Sequence, residues 1–93
     1  MAGHDGESTD PFAGLRSALE EGVAFPTVYV FKFIVPSASL NHLLALLDGH
    51  RATRRESKTG RYVSVTVEAM MTSSEEVIEV YRRTSCVEGL MSL

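Results

Sequence analysis

The segment from Thr27 to Val35, TVYVFKFIV, constrains the fold more than any other part of the chain. It is β-branched or aromatic at almost every position and carries a single charge, Lys32. This composition favours a strand at the centre of a sheet, with both faces largely covered. Pro36 ends the strand because proline has no backbone N–H to donate to a neighbouring strand. The chain is therefore predicted to build a sheet around this segment.

Three stretches have the spacing and the end signals of helices. The first is predicted from Pro11 to Glu21, with Asp10 as its cap. The second ends at Gly49 and carries leucines at helical spacing, namely Leu40, Leu43, Leu44 and Leu47. In the third, Ser73 and Glu76 have the spacing of a capping box, and an apolar stripe follows them.

Three further segments are predicted to be strands. The charged stretch from Arg51 to Lys58 and the alternating stretch from Tyr62 to Ala69 form a hairpin, and Val87 to Leu93 finishes the chain. From Thr27 onward the order is β, α, β, β, α, β. This order predicts an α+β fold of the ferredoxin-like type, in which a four-stranded antiparallel sheet carries two helices on one face. The first and third strands would be central and the second an edge, and a short N-terminal helix is added.

The chain has room for one folded domain. We expect a disordered, acidic tail over residues 1–10, a helix and linker over residues 11–24, and the ferredoxin-like domain over residues 25–93. The tail has no basic segment followed by an apolar one, so a secretory signal is not expected. The apolar runs are too short for a membrane span, and the single cysteine fits a cytoplasmic location.

Charge is segregated along the chain. The net charge is −3, yet the stretch from Arg51 to Arg61 carries +4 and the remainder −7. Its basic residues are Arg51, Arg54, Arg55, Lys58 and Arg61. These side chains are candidates to bind an acidic protein surface or a small anionic ligand. They are also candidates to bind a nucleic-acid backbone, although the negative net charge of the chain counts against that. The alternative is that charges on an edge strand only prevent edge-to-edge aggregation.

Part of the sequence resembles the YbeD-like proteins, a family of small bacterial proteins of unknown function. The resemblance covers Leu19 to Leu93. It depends on motif positions at the first strand and the hairpin, which are Phe25, Pro26, Lys32, Ser57, Lys58, Gly60, Tyr62 and Ser64. Further shared residues are Val65, Thr66, Val67, Glu76, Val77, Tyr81 and Val87.

The resemblance implies a ferredoxin-like fold similar to the ACT regulatory domains, with no established reaction. ACT domains commonly use a glycine in the loop after the first strand, so that an amino-acid ligand can approach the backbone. In this chain the loop is Pro36-Ser37-Ala38-Ser39. The departure counts against amino-acid binding in the ACT manner.

Other residue types provide little chemistry. The histidines at positions 4, 42 and 50 lack the spacing of a metal site, so no metal and no cofactor are expected. Cys86 is expected to be a partly buried thiol. Together with Tyr62, the aromatic residues Phe31 and Phe33 resemble the base-stacking residues of an RNA-binding sheet. Tyr29, Phe31 and Phe33 share one strand face, however, and are expected in the core and not in contact with RNA bases. No nucleophile, base and orienting group can be assembled.

The favoured hypothesis is a non-enzymatic regulatory or protein-interaction module, monomeric or homodimeric, that contacts an acidic partner. One alternative is an ACT-like sensor that binds a small metabolite. Another is nucleic-acid binding through the basic hairpin at residues 51–61. No membrane association is expected.

Overall fold

A computed structural model describes residues 10–93 of the chain. The predicted tail lies outside these residues except for Asp10. The elements in chain order are α1 (Ala13–Gly22), β1 (Thr27–Pro36), a 3₁₀ turn (Ser37–Ser39), α2 (Leu40–Leu46), β2 (Arg51–Glu56), β3 (Tyr62–Met71), α3 (Ser74–Thr84) and β4 (Met91–Ser92). None of the helices between residues 10 and 93 has the length and hydropathy needed to cross a bilayer.

The four strands form one antiparallel sheet in the order β2-β3-β1-β4. The predicted central position of β1 and edge position of β2 are confirmed. Tyr29 of β1 faces Ala69 of β3 and Phe33 faces Val65, so the two central strands pair along their whole length. The sheet therefore consists of a long central pair with a charged edge strand on one side and a very short strand on the other.

The core lies on one face of the sheet, here named the closed face. Alternate residues of the central strands are fully buried there, namely Phe31, Phe33, Val35, Val63, Val65 and Val67. The helices cover them with Leu19 of α1, Leu43 of α2, and Val77 and Ile78 of α3. Tyr81 of α3 packs edge-on against Phe31, with the ring centroids 5.3 Å apart. Burial and a hydrogen bond with Tyr29 raise the pKa of the Tyr81 phenol.

The opposite face, here named the open face, is not covered by any element of residues 10–93. The prediction that both faces of β1 are largely covered is therefore wrong. Val28 is 55% exposed and Val30 is 49% exposed, although they alternate with buried aromatic residues. The open face comprises Val28, Val30, Lys32 and Ile34 of β1, Tyr62, Ser64, Thr66, Glu68 and Met70 of β3, Arg51, Thr53 and Arg55 of β2, and Met91 and Leu93.

The last predicted strand is shorter than expected. Only Met91 and Ser92 pair with β1, because the chain turns first: the N–H of Val87 donates to Thr84 and that of Leu90 to Val87. Gly89 has a φ of +76°, which a strand does not adopt. Cys86 lies in this turn and is exposed, so the expectation of a partly buried thiol is also wrong.

The helix ends follow their predicted signals with small shifts. The side chain of Ser73 accepts from the N–H of Glu76 at 3.2 Å, as a cap should. The Glu76 carboxylate, however, accepts from the N–H of Thr72 and not from that of Ser73. The Asp10 side chain accepts from the N–H of Phe12, in a turn before α1, so the helix begins at Ala13 and not at Pro11. Helix α2 ends at Leu46, before the predicted stop at Gly49.

Candidate functional site

The basic hairpin is built from β2, β3 and a tight turn between them. The N–H of Ser57 donates to the carbonyl of Tyr62 at 2.9 Å, and the N–H of Gly60 donates to the carbonyl of Ser57 at 3.0 Å. Gly60 has a φ of +75°, a backbone conformation that favours glycine. Lys58 lies at the tip of this turn and is exposed. Arg61 follows Gly60 at the end of the turn and is exposed too.

The tip of the hairpin is fixed to the loop after β1. The N–H of Ser37 donates to the carbonyl of Arg61 at 2.8 Å, and the Ser37 hydroxyl donates to the carbonyl of Gly60. Ser37, in the loop after β1, thus holds the hairpin with its N–H and its hydroxyl. Because both of its donors are used, the hairpin has a defined position over the end of β1.

The structure separates the five predicted basic residues into three groups. Arg51 and Arg55 pair with Glu68 and Ser64 and belong to the open face. Arg54 pairs with Val65 and belongs to the opposite face, at an edge that the helices leave uncovered. The other two lie in the turn. All five are exposed, but they form a charged edge and not one convergent cluster.

None of these five side chains forms an ion pair with a carboxylate of residues 10–93, although Glu68 lies opposite Arg51 on the neighbouring strand. The ion pairs among residues 10–93 join Arg16 to Asp10 and Glu75, and Arg82 and Arg83 to Glu79. The Arg16 guanidinium lowers the pKa of the Glu75 carboxyl. The ion pairs thus involve α1, α3 and the turn before α1, whereas the basic side chains of the hairpin form no ion pair with residues 10–93.

The family-motif residues lie in three parts of the fold: the hairpin turn, the segment before β1 and the open face. Ser57 and Gly60 shape the turn, and Phe25 and Pro26, joined by a cis peptide bond, precede β1. Lys32, Tyr62 and Ser64 lie on the open face. Lys58 is exposed at the tip of the turn. The motif therefore contributes both to the hairpin conformation and to the open face.

Two shallow depressions on the open face share Arg55 and Ser64. One, of about 250 Å³, is also lined by Ile34, Glu56, Ser57 and Tyr62, so a carboxylate lies beside its arginine. The other, of about 330 Å³, also contacts Lys32, Thr53, Thr66 and Leu93, with Arg54 at its rim. Cationic side chains beside hydroxyl groups are suited to hold a carboxylate or a phosphate through charge-assisted hydrogen bonds. The open face therefore offers anion-binding chemistry next to apolar surface.

Sequence reasoning missed the apolar half of the open face. The apolar run of β1 predicts cover for Val28 and Val30, and no sequence pattern assigns Met70, Met91 or Leu93 to an exposed face. One signal was present: Lys32 lies on the same side of β1 as the two valines, and an unpaired lysine is rarely buried. The lysine therefore marked this side as the solvent side of the strand.

Among residues 10–93, His, Cys, Asp and Glu side chains form no group of three that could hold a metal ion. His42 is exposed, and His50 lies beside a separate depression with Met70, Glu76 and Glu79. The aromatic residues Phe31 and Phe33 are buried in the core as expected. Tyr62 is thus the only aromatic side chain of the open face as defined above.

Comparison with known proteins gives one family. No curated protein and no solved structure matches the chain. A sequence profile described as "Protein of unknown function (DUF493)" matches residues 20–92. This span includes the whole sheet, α2, α3 and the basic hairpin. The chain belongs to the DUF493 family.

Proposed function

We propose that the protein is a non-enzymatic regulatory or protein-interaction module that contacts an acidic partner protein through β2 and the hairpin. The observation that carries this proposal is the set of five exposed basic side chains that form no ion pair with residues 10–93. Edge protection alone needs fewer charges than this. Strand β2 also leaves half of its backbone hydrogen-bonding groups without a strand neighbour, and a partner could pair with them.

The proposal also treats the fold as ferredoxin-like and the chain as YbeD-like. The strand order with β1 and β3 central supports the first assignment. The family profile over residues 20–92 supports the second, because the resemblance covers nearly the same residues. A cytoplasmic location and a monomeric or homodimeric state complete the proposal.

An ACT-like metabolite sensor is a second candidate. The depression that joins Lys32, Arg55 and Ser64 favours a small anionic ligand. The loop after β1 counts against the ACT manner of binding, since the N–H and hydroxyl of Ser37 already donate to the hairpin. A metabolite that raises the melting temperature at saturating concentration would support this candidate.

Nucleic-acid binding has less support than the protein-interaction module or the metabolite sensor. The basic residues of the hairpin lie on different faces of the sheet. The chain outside residues 51–61 has a net charge of −7. A nucleic-acid interface would show binding that weakens steeply with salt. We expect no such binding, and filter-binding measurements over a range of salt concentrations check this expectation.

An affinity pull-down from native extract tests the main proposal. The wild type is compared with Arg54→Glu, Arg55→Glu and with a control, Arg82→Glu, Arg83→Glu, which changes the net charge equally on α3. The hairpin variant is expected to lose an acidic partner that the wild type and the control retain. Circular dichroism verifies that all three are folded. Equal capture by all three would reject the hairpin as the contact site and leave edge protection as its role.

A further inference from the structure

The open face carries an apolar stripe along β1 and β4, which Lys32 interrupts and which Leu93, beside Lys32, continues. Six large apolar side chains among residues 10–93 are between 48% and 69% exposed. All six lie on the open face, namely Val28, Val30, Tyr62, Met70, Met91 and Leu93. Ile34 joins the stripe beside Met91, with which it pairs, and lines the same depression as Tyr62. A contiguous apolar patch with a polar border is typical of an interaction site.

Charged groups occupy the other half of the open face. Arg51 and Arg55 lie on β2, and Lys32 projects from the middle of β1. Glu68, opposite Arg51, is the one acidic side chain of the open face as defined above, so the side chains of this face have a formal charge of +2, and Glu56 lies at the edge of one depression. Apolar groups thus lie over β1 and β4 except at Lys32, and at the two ends of β3, whereas the other basic groups lie over β2.

The size of this surface suits one helix. Ten residues at about 3.4 Å each make the central strands about 34 Å long, and four strands at about 4.8 Å make the sheet about 19 Å wide. A helix is about 10 Å across, and 20 residues of it are about 30 Å long. One helix along β1 would cover the apolar stripe, and the side chains on its flank would reach β3 and β2.

Charge decides between a second copy and a different protein. If two copies packed open face to open face, two surfaces with a charge of +2 each would oppose one another. Each copy would bring Lys32, Arg51 and Arg55, and the two Glu68 carboxylates are too few to neutralise these six cations. Like charges facing each other across an interface are unfavourable. An acidic segment, in contrast, neutralises the face. We propose that the open face binds an amphipathic segment of an acidic partner protein, with its apolar side on the stripe and its carboxylates toward Lys32 and Arg55.

The carboxylate positions follow from the depression between Lys32 and Arg55. Hydroxyl groups of Thr53, Ser64 and Thr66 line it, and Leu93 borders it on the apolar side. A carboxylate there would accept hydrogen bonds from two cations while the adjacent turn of the segment covers Leu93. This inference rests on the proposed function, because it names the chemistry of the partner that the hairpin contacts.

Photo-crosslinking in the native cells tests the inference. The photoreactive residue p-benzoylphenylalanine replaces Val30 in the full chain, and a control chain carries it in place of Arg83 on α3. Mass spectrometry identifies the crosslinked peptide. The expected product from position 30 is a peptide of another protein with apolar residues at helical spacing and Asp or Glu beside them, absent from the control. Crosslinking to a second copy, to nucleic acid, to a peptide without carboxylates, or to nothing would overturn the inference.

Two variants separate this inference from the proposed function. Val30→Ser, Met91→Ser removes exposed apolar groups and leaves every charge, and we expect it to weaken binding of the synthetic crosslinked peptide about tenfold or more. If the partner is captured normally by this variant but lost by Arg54→Glu, Arg55→Glu, the proposed function stands and the inference fails. If both variants capture the partner normally, both fail.

Discussion

The two faces of β1 both carry large apolar side chains, but those side chains differ in how far they are buried. On the closed face Phe31, Phe33 and Val35 are fully buried beneath helices. On the open face Val28 and Val30 are about half exposed, although valine is as suited to a core as the residues beside it. The difference shows that cover by another layer, and not the apolar character of the strand, decides which side chains stabilise the fold. The uncovered ones are free to contact a partner.

The largest expected effect comes from truncating one residue on each face. Phe33→Ala should lower the free energy of unfolding by about 3–5 kcal/mol, because it removes a fully buried ring and leaves a cavity. Val30→Ala should lower it by less than about 1 kcal/mol, since its side chain is half exposed already. Urea denaturation followed by circular dichroism measures both.

The comparison fails if the two variants lose similar stability. Such a result would mean that the open face is covered in solution, by a second copy or by residues outside 10–93. Repeating the denaturation at several protein concentrations separates these cases, because only an oligomer has a stability that depends on concentration.

A smaller effect concerns how β4 is held beside β1. Gly89 has a φ of +76°, and a Cβ there would lie 2.6 Å from Cγ of Pro36. Gly89→Ala should therefore cost about 2–4 kcal/mol, from the unfavourable conformation and from the overlap. Gly60→Ala, at a similar φ of +75° with open space around it, is the matched control and should cost about 1–2 kcal/mol.

Hydrogen exchange at Leu93 locates this effect. Its N–H donates to the carbonyl of Lys32 at 2.8 Å, beside the open face. Faster exchange in the Gly89 variant than in the Gly60 variant is expected. Equal exchange and equal stability would show that the contact with Pro36 does not anchor β4, and that Met91 and Leu93 owe their positions to something else.

Local signals in the sequence were enough for most of the fold. Alternation in β3, the apolar run of β1 and the Ser73 cap depend on neighbours a few residues away, so they could be predicted. The short last strand could not be predicted, because the chain turns at Gly89 after α3. Gly89 lies against Pro36, which is distant from it in the sequence. The exposure of Val28 and Val30 could not be predicted either, because whether a second layer covers a face of the sheet depends on the whole fold.

The candidate site was predicted in part for the same reason. A run of five basic residues is visible in the sequence, but the register of β2 on β3 decides that Arg51 and Arg55 share a face and Arg54 does not. The apolar stripe depends on pairing between β1 and β4, which joins Ile34 to Met91. The charges of the site were therefore predictable, whereas its apolar half required the sheet topology.

A third prediction concerns the helix that closes the closed face. Ser73→Ala removes the side chain that accepts from the N–H of Glu76 and should cost about 1 kcal/mol. Ser85→Ala, at the other end of α3, removes a hydroxyl that donates to the carbonyl of Arg82 and is expected to cost less. A difference between their denaturation midpoints checks the cap, and equal midpoints would contradict it.

The smallest expected effect is a pH dependence at the junction of α1 and α3. Hydrogen bonds from Arg16 lower the pKa of Glu75 below its ordinary value of 4.5. The N–H of Phe12 and, next, Arg16 lower the pKa of Asp10 below 3.8. Because both folded pKa values lie below the unfolded ones, this junction stabilises the fold above about pH 4.5 and loses that stabilisation as the pH falls through the folded values.

Arg16→Gln should remove much of this dependence. The wild type is expected to exceed the variant in urea midpoint at pH 6 and to approach it at pH 3. The Glu75 side chain is 60% exposed and the Asp10 side chain 35% exposed, so the difference at pH 6 should be small and should decrease in high salt. A midpoint difference that stays constant from pH 6 to pH 3 would mean that Arg16 stabilises the α1–α3 contact by packing alone. The helical cover of the closed face would then depend on apolar contacts such as that of Leu19, and the contrast with the open face would be purely one of burial.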